Sequence, residues 1–245
     1  MAKFVWKDAA VIVGGVDLSC DTSQTGVQLV TSAEQVTAFC DDGVHEYVTG
    51  LRSGGFSHQG FWDPAVTADA VYERVRSATD VVPTSFAVTK TVGARAYTGK
   101  TMHTSYEESA DVGSPYNYNA SGDVSGVVAR GSLLHLAVTE VSATGAGTAV
   151  EVGAAASGEY VYSALHVLEL AGGTAPSIAV VAESDDASGF VSGVTRLTHT
   201  TLADVNSDWQ RLAGPVTDTW WRSSYTITGS PTTVRFVHVL GFASI

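Results

Sequence analysis

The sequence predicts an all-β protein with one helix, in which a β-barrel or sandwich is followed by an antiparallel β-sandwich. Valine, threonine, serine, glycine and alanine are abundant in the chain, and this bias favours strands joined by tight turns. Of the 245 residues, 44% are hydrophobic and only 16% are charged, which excludes a disordered chain. The sequence pattern changes near Glu140, where a segment of small residues is followed by short, regularly spaced strand-like runs. This change indicates two domains, residues 1–139 and residues 140–245.

The first domain is expected to open with a β-hairpin over residues 9–19 that turns at Gly14-Gly15. The alternation of apolar and polar residues over 26–39 predicts a long, half-exposed strand. Further strand-like runs, with a loop over residues 113–120, cover residues 47–51, 54–62, 84–91, 93–102 and 124–135.

One helix is expected, over residues 64–77. Asp63 suits the N-cap, and Pro64 suits the first helical position because its missing N–H would be unpaired there anyway. Val71 and Val75 fall at helical spacing on one apolar stripe. The sequence therefore predicts an amphipathic helix that packs against a sheet.

The second domain contains short strand-like runs at a spacing of about 8–12 residues, which is the rhythm of a β-sandwich. Turn residues such as Gly172-Gly173 and Gly214-Pro215 separate these runs. The expected strands cover residues 159–170, 177–183, 193–200, 208–216, 220–228 and 232–241.

The charge of the chain excludes some classes of partner. Asp and Glu total 25 against 13 Lys and Arg, a formal net charge of -12, so unaided binding to a nucleic-acid backbone is not expected. No run approaches the roughly 18–20 apolar residues of a membrane span, and the start of the chain lacks the apolar core of a secretory signal. The sequence therefore predicts no membrane partner and a protein that is made in the cytoplasm.

No catalytic residue, cofactor or metal site is expected. Gly93 and Gly99-Lys100 nearly form a phosphate-binding loop, but five residues separate them where four are needed, so Gly99-Lys100 is interpreted as a hairpin turn. The seven histidines show no metal-ligand spacing, and no Gly-x-Ser-x-Gly motif presents a nucleophile. Asp185-Asp186 could contribute to a calcium site, but no complete twelve-residue calcium loop is present, and the pair is interpreted as a solvated hairpin turn.

Three aromatic residues of the second domain, Trp220, Trp221 and Tyr225, are candidates for contact with a glycan, because exposed aromatic rings stack on sugars. Strand alternation offers a different interpretation, in which one tryptophan faces the core and the other faces outward. Both interpretations stay open at this point.

The order of short motifs in the first domain carries a family resemblance. It runs Val16-Asp-Leu-Ser19, then a strand ending Val36-Thr-Ala-Phe39 beside Asp41-Asp42-Gly43, then Gly50-Leu51 and Gly60-Phe-Trp-Asp63. This order resembles that of long-tailed (siphovirus) phage major tail proteins, the subunits of the tail tube. Residues 106–113 and 128–134 resemble late strands of the same proteins, and the second domain is similar to a β-sandwich often appended to phage structural proteins.

The resemblance implies a non-enzymatic virion protein, assembled in the host cytoplasm, whose first domain has a tail-tube-like fold. Such subunits form rings, usually hexameric, that stack into the tube through which DNA is ejected. The partners implied are other copies of the chain, other tail proteins and, transiently, DNA in the lumen. The alternative is a capsid- or tail-decorating protein whose second domain binds host-surface glycans.

The resemblance also suggests where subunits would meet. The segment around Thr37, Phe39 and Leu51 combines a strand end with the turn that the family uses there, so these three residues are expected at an inter-subunit interface. The second domain is expected to project outward, and a fragment of residues 1–139 is expected to assemble without it.

Overall fold

The computed structural model describes residues 8–36, 45–63, 68–77, 81–136, 141–231 and 233–244, and within them the chain is nearly all β, as the sequence predicted. The strands of the first half are β1 (Ala10–Val13), β2 (Val16–Asp17), β3 (Thr22–Gln35), β4 (Tyr47–Phe61), β5 (Val81–Ala87), β6 (Arg95–Ser109), β7 (Asn117–Val124) and β8 (Ala129–His135). The helix α1 (Ala68–Ser77) lies between β4 and β5.

The strands of the second half are β9 (Gly145–Ala146), β10 (Val150–Glu151), β11 (Glu159–Ala171), β12 (Ser177–Asp185), β13 (Val194–Thr198), β14 (Asn206–Ala213), β15 (Trp220–Thr228) and β16 (Thr233–Ser244). The six strands predicted from the sequence are β11 to β16. Their positions agree because glycine and proline turns separate short apolar runs.

Two antiparallel sheets contain all these strands. The larger sheet has the order β14-β11-β16-β8-β6-β5-β1-β2, and β7, β4 and β3 continue it outward from β6. The smaller sheet has the order β10-β15-β12-β13, with β9 beside β15. The smaller sheet packs against β11, β14 and β16, and Trp221, Val161 and Leu240 share the apolar core between the two layers.

The larger sheet curls until its ends approach each other. The Ser85 hydroxyl of β5 lies 2.8 Å from His166 Nε2 of β11, and a Cβ added to Gly15 would lie 2.9 Å from the carbonyl oxygen of Asn206. The curl encloses an apolar cluster that comes from one face of this sheet: Ala10, Ile12, Ala87, Ala96, Leu133, Leu136, Val237 and Val239.

Strands from both predicted domains lie side by side in the larger sheet. β8 pairs with β16 over Arg130 to His135, and the backbones are close enough that a Cβ added to Gly131 would lie 2.0 Å from the carbonyl oxygen of Leu240. The predicted boundary between residues 139 and 140 lies outside the described residues. A cut there would separate two strands that pair with each other.

Several local predictions are confirmed and others are wrong. The first hairpin turns at Gly14-Gly15, where both residues have positive φ, as predicted. The two strands predicted within 47–62 are one continuous strand, β4, and the predicted loop over 113–120 becomes β7 from Asn117 onward. Gly99-Lys100 lies inside β6 and not at a turn, because β5 pairs with both residues and continues past them to Met102.

Candidate assembly interface

The hairpin of β3 and β4, the longest among the described residues, extends beyond the rest of the larger sheet. β3 and β4 pair along their length, but β4 pairs with β7 only over residues 55–61. From Leu29 and Gly54 outward, β3 and β4 pair only with each other among the described strands. We call residues 29–36 and 46–54 the arm.

The arm is incomplete as an isolated structure. A two-stranded ribbon is marginally stable at best in water, and its outer edges present unpaired backbone N–H and C=O groups. Such edges can take up a further strand from another chain. The arm therefore has the backbone chemistry of a surface that a partner completes.

Apolar side chains are concentrated on the arm. Among the described residues, 14 large hydrophobic side chains are exposed. Six of them belong to the arm: Leu29, Val30, Val36, Tyr47, Val48 and Leu51. Adjacent strand residues point to opposite faces, so these side chains lie on both faces of the arm. Single exposed apolar residues are ordinary on a protein surface, but six on one short ribbon favour association.

A β-bulge explains the position of Leu51. The register shifts between Thr31 and Ala33, so that Gly50 and Leu51 of β4 together oppose Ser32 of β3. Such a bulge re-aims the side chains at an edge. Leu51 is 86% exposed, the largest fraction among the six apolar residues of the arm.

A shallow apolar groove lies at the base of the arm. Its volume is about 280 Å³, and it lies between Leu29 and Val30 of the arm, Val127 and Val128 before β8, and Ala243 of β16. The apolar surface of the arm therefore continues onto the body of the protein.

Of the three predicted interface residues, the structure places Leu51 on the arm. Thr37 and Phe39 lie outside the described residues, so their part in an interface stays a prediction.

The three aromatic residues considered for glycan contact have different environments. Trp221 is fully buried, and its Nε1 donates to the Gly153 carbonyl oxygen at 2.9 Å. Tyr225 packs edge-on against His135 and Phe236. Trp220 is half-buried, so of the two tryptophans it alone can offer a face to solvent. The alternation of inward and outward side chains was predicted correctly, and it removes Trp221 from the glycan candidates.

The structure assembles a serine, histidine and aspartate group that sequence reasoning missed. His199 Nδ1 lies 2.8 Å from Asp208 Oδ2, and His199 Nε2 lies 2.8 Å from Ser163 Oγ. These contacts match a hydrolase triad in connectivity. Ser163, however, is fully buried in the middle of β11, where no substrate can reach its hydroxyl.

A second histidine gives the group a structural role. His238 Nε2 lies 2.6 Å from the same Ser163 Oγ, and His238 Nδ1 lies 2.6 Å from Ser223 Oγ of β15. We call these five residues, Asp208, His199, Ser163, His238 and Ser223, the relay. Because β15 belongs to the smaller sheet and β11, β14 and β16 to the larger one, the relay joins the two layers.

With both imidazoles neutral, one arrangement of protons satisfies every bond of the relay. The carboxylate of Asp208 only accepts, so His199 donates to it from Nδ1 and accepts at Nε2 from the Ser163 hydroxyl. Ser163 then accepts from His238 Nε2–H, and His238 Nδ1 accepts from Ser223. Hydrogen bonds from His199, Gln210 and Thr200 lower the pKa of Asp208 against the opposing effect of burial.

The paired aspartates are part of a turn. Asp185 accepts from the backbone N–H groups of Ala187 at 3.2 Å and Ser192 at 2.9 Å, which supports the turn interpretation. In the part of the chain that the structure describes, no three His, Cys, Asp or Glu side chains are grouped closely enough to hold a metal ion. Nor does any helix there have the length and apolar character needed to cross a membrane.

Comparisons with known proteins find similarity in solved structures. No protein-family model and no curated protein sequence matches the chain. A chain from the virion of a native gene transfer agent particle is 17% identical, with 52% of this chain and 98% of that chain covered at a TM-score of 0.42. A subunit of the SPP1 tail tube is 11% identical, with 52% and 78% covered at a TM-score of 0.41.

A third similar chain comes from the sheath-tube complex of an extracellular contractile injection system, PVC, in the extended state. It is 12% identical, with 53% of this chain and 90% of that chain covered at a TM-score of 0.43.

Proposed function

We propose that this chain is a structural subunit of a phage tail tube, which self-associates into rings that stack to form the conduit for DNA. The observation that carries the proposal is the arm, with which no third strand of the described chain pairs and which holds six of the exposed apolar side chains. The order of motifs in residues 16–63 supports the same family.

Self-association would complete the backbone hydrogen bonding of the arm and bury its apolar side chains. Strand addition along its edge would pair the free backbone groups, and contact with the groove at its base would bury Leu29 and Val30. The same patch repeated on every copy generates a closed ring when the rotation between neighbours closes. A six-fold ring is our expectation for the symmetry.

The net charge suits a conduit for DNA. A chain with a formal charge of -12 repels a phosphate backbone, so DNA would pass along a tube of such subunits without specific binding. We place the protein in the tail of the virion, in contact with other tail proteins, after assembly in the host cytoplasm. No chemical reaction is part of this function.

Electron microscopy of the purified protein over a concentration series tests the proposal. We expect stacked rings or hollow tubes at high concentration, and discrete single chains at every concentration would contradict self-assembly. The variant Leu51→Asp places a charge on the most exposed apolar position of the arm, and we expect it to abolish rings while leaving the monomer folded.

Val191→Asp is a matched control for Leu51→Asp. Val191 is 98% exposed, lies outside the arm, and receives the same added charge. We expect this variant to assemble as the unmodified protein does. Loss of assembly in both variants would assign the effect to net charge and remove the arm from the interface.

A further inference from the structure

A cavity of about 440 Å³ opens where the larger sheet curls back on itself. Its walls include Lys100 of β6, Gly126 before β8, Tyr162 of β11, and Trp209 and Arg211 of β14. The volume is within the range of pockets that hold small ligands, and the mouths of β-barrels are among the places where such pockets occur.

The strand register places the aromatic and cationic groups together. Arg211 pairs with Tyr162, and Trp209 pairs with Ala164, so the side chains of Tyr162, Trp209 and Arg211 share the inner face of the curled sheet. The rings of Tyr162 and Trp209 lie 5.5 Å apart at 35°, and the Arg211 guanidinium lies 5.5 Å from the ring of Tyr160.

The charge of this cavity is opposite to that of the chain. Lys100 and Arg211 contribute two cations, and none of the described residues that line the cavity carries a carboxylate. Burial raises the pKa of Tyr162, although Arg211 partly opposes that rise. The charged groups and this hydroxyl can all donate hydrogen bonds, and the lysine and arginine side chains cannot accept them.

We propose that this cavity binds an acidic sugar unit, with the ring against Trp209 and the carboxylate between Lys100 and Arg211. The aromatic face provides the apolar surface that a sugar ring needs, and the two cations provide charge-assisted hydrogen bonds to the carboxylate. A nucleobase is a poorer fit because it carries no negative charge for the two cations to pair with. The site contains no residue of the arm, although Gly126 and Val127 line both this cavity and the groove at the base of the arm.

Isothermal titration of the full chain with glucuronate, galacturonate and N-acetylneuraminate tests this site, with glucose and uridine monophosphate for comparison. We expect saturable binding of at least one acidic sugar with a dissociation constant on the order of 1 mM. Failure of all three to bind overturns the proposal. So does glucose binding of equal strength, or tighter binding of uridine monophosphate.

Two variants locate the binding. Arg211→Gln removes an exposed cation and Trp209→Leu removes the ring face. Each substitution should raise the dissociation constant for the acidic sugar at least tenfold. Trp220→Leu changes another half-buried tryptophan, on the smaller sheet, and should leave the affinity unchanged. Equal affinity in the Arg211→Gln variant overturns the assignment. Binding of an acidic polysaccharide but of none of the single sugars would also contradict a site for one unit.

Discussion

The hydroxyl of Ser163 lies 2.6 Å from Nε2 of His238, and both groups are fully buried between the two sheets. The same hydroxyl is also hydrogen-bonded to His199, so one side chain is a hydrogen-bond partner of two imidazoles. A buried polar group that loses its partner costs roughly 1–3 kcal/mol. The relay therefore contributes to the stability of the contact between the layers.

We expect Ser163→Ala to lower the free energy of unfolding by about 1–3 kcal/mol, because it removes the shared hydroxyl and little volume. Urea denaturation at neutral pH measures the change. Ser224→Ala, a half-buried serine of β15, is the matched control and should change stability by less than about 0.5 kcal/mol. Equal stability of the two variants would show that the relay has no stabilising role.

The buried histidines predict acid lability. Burial lowers the pKa of His58 and His166 to about 3 and that of His103 and His135 to about 4. Burial and the neighbouring histidines also lower the pKa of His238 well below 6.5. Their neutral forms are favoured in the folded state, whereas an unfolded chain protonates them near pH 6.5. The associated stability is present above pH 6.5 and is lost as the pH falls through the window from 6.5 towards 4.

Within that window, each such histidine lowers the free energy of unfolding by about 1.4 kcal/mol for every pH unit of acidification. Several together are comparable with the total stability of a domain, about 5–15 kcal/mol, so we expect unfolding between about pH 6 and pH 4. Circular dichroism and urea denaturation across this range measure the effect. His103→Gln should reduce the slope of unfolding free energy against pH by the contribution of one proton, about 1.4 kcal/mol per pH unit. His45→Gln, at an exposed position, should leave the slope unchanged. The same stability at pH 7 and pH 5 would contradict this account.

The two adjacent tryptophans should differ in their effect on stability. Trp221→Ala removes a fully buried ring and its hydrogen bond to Gly153, and we expect a loss of about 3–5 kcal/mol. Trp220→Ala changes a half-buried ring, and we expect less than half of that loss. Thermal unfolding of both variants measures the difference. Equal losses would show that Trp220 is also part of the core.

The pairing of β8 with β16 changes the expectation for a truncated chain. A fragment of residues 1–139 lacks β16, so β8 would become an open edge and the cluster inside the curl would lose Val237 and Val239. We now expect this fragment to be unfolded or aggregated when made alone. A soluble fragment with slow amide hydrogen exchange in β6 and β8 would instead support two independent domains.

The sequence by itself determined the fold class, the Gly14-Gly15 hairpin, the helix that ends at Ser77 and the strands of the second half. These features depend on local patterns: alternation of apolar residues, cap residues and turn residues. The same alternation predicted that one of the two adjacent tryptophans faces inward, and the tertiary structure decided that this is Trp221. A continuous β4 was missed because glycines at positions 50, 54 and 55 imitate turns, while pairing with β3 and β7 holds them in an extended strand.

Only the tertiary structure decided which distant strands meet. The relay joins Ser163, His199, Asp208, Ser223 and His238, which lie on five separate segments of the sequence with no common motif. The β8–β16 pair and the curl of the larger sheet likewise depend on long-range pairing. Backbone hydrogen bonds are the same for every residue type, so the choice of partner strand depends on packing and register across the whole sheet, which local sequence does not encode.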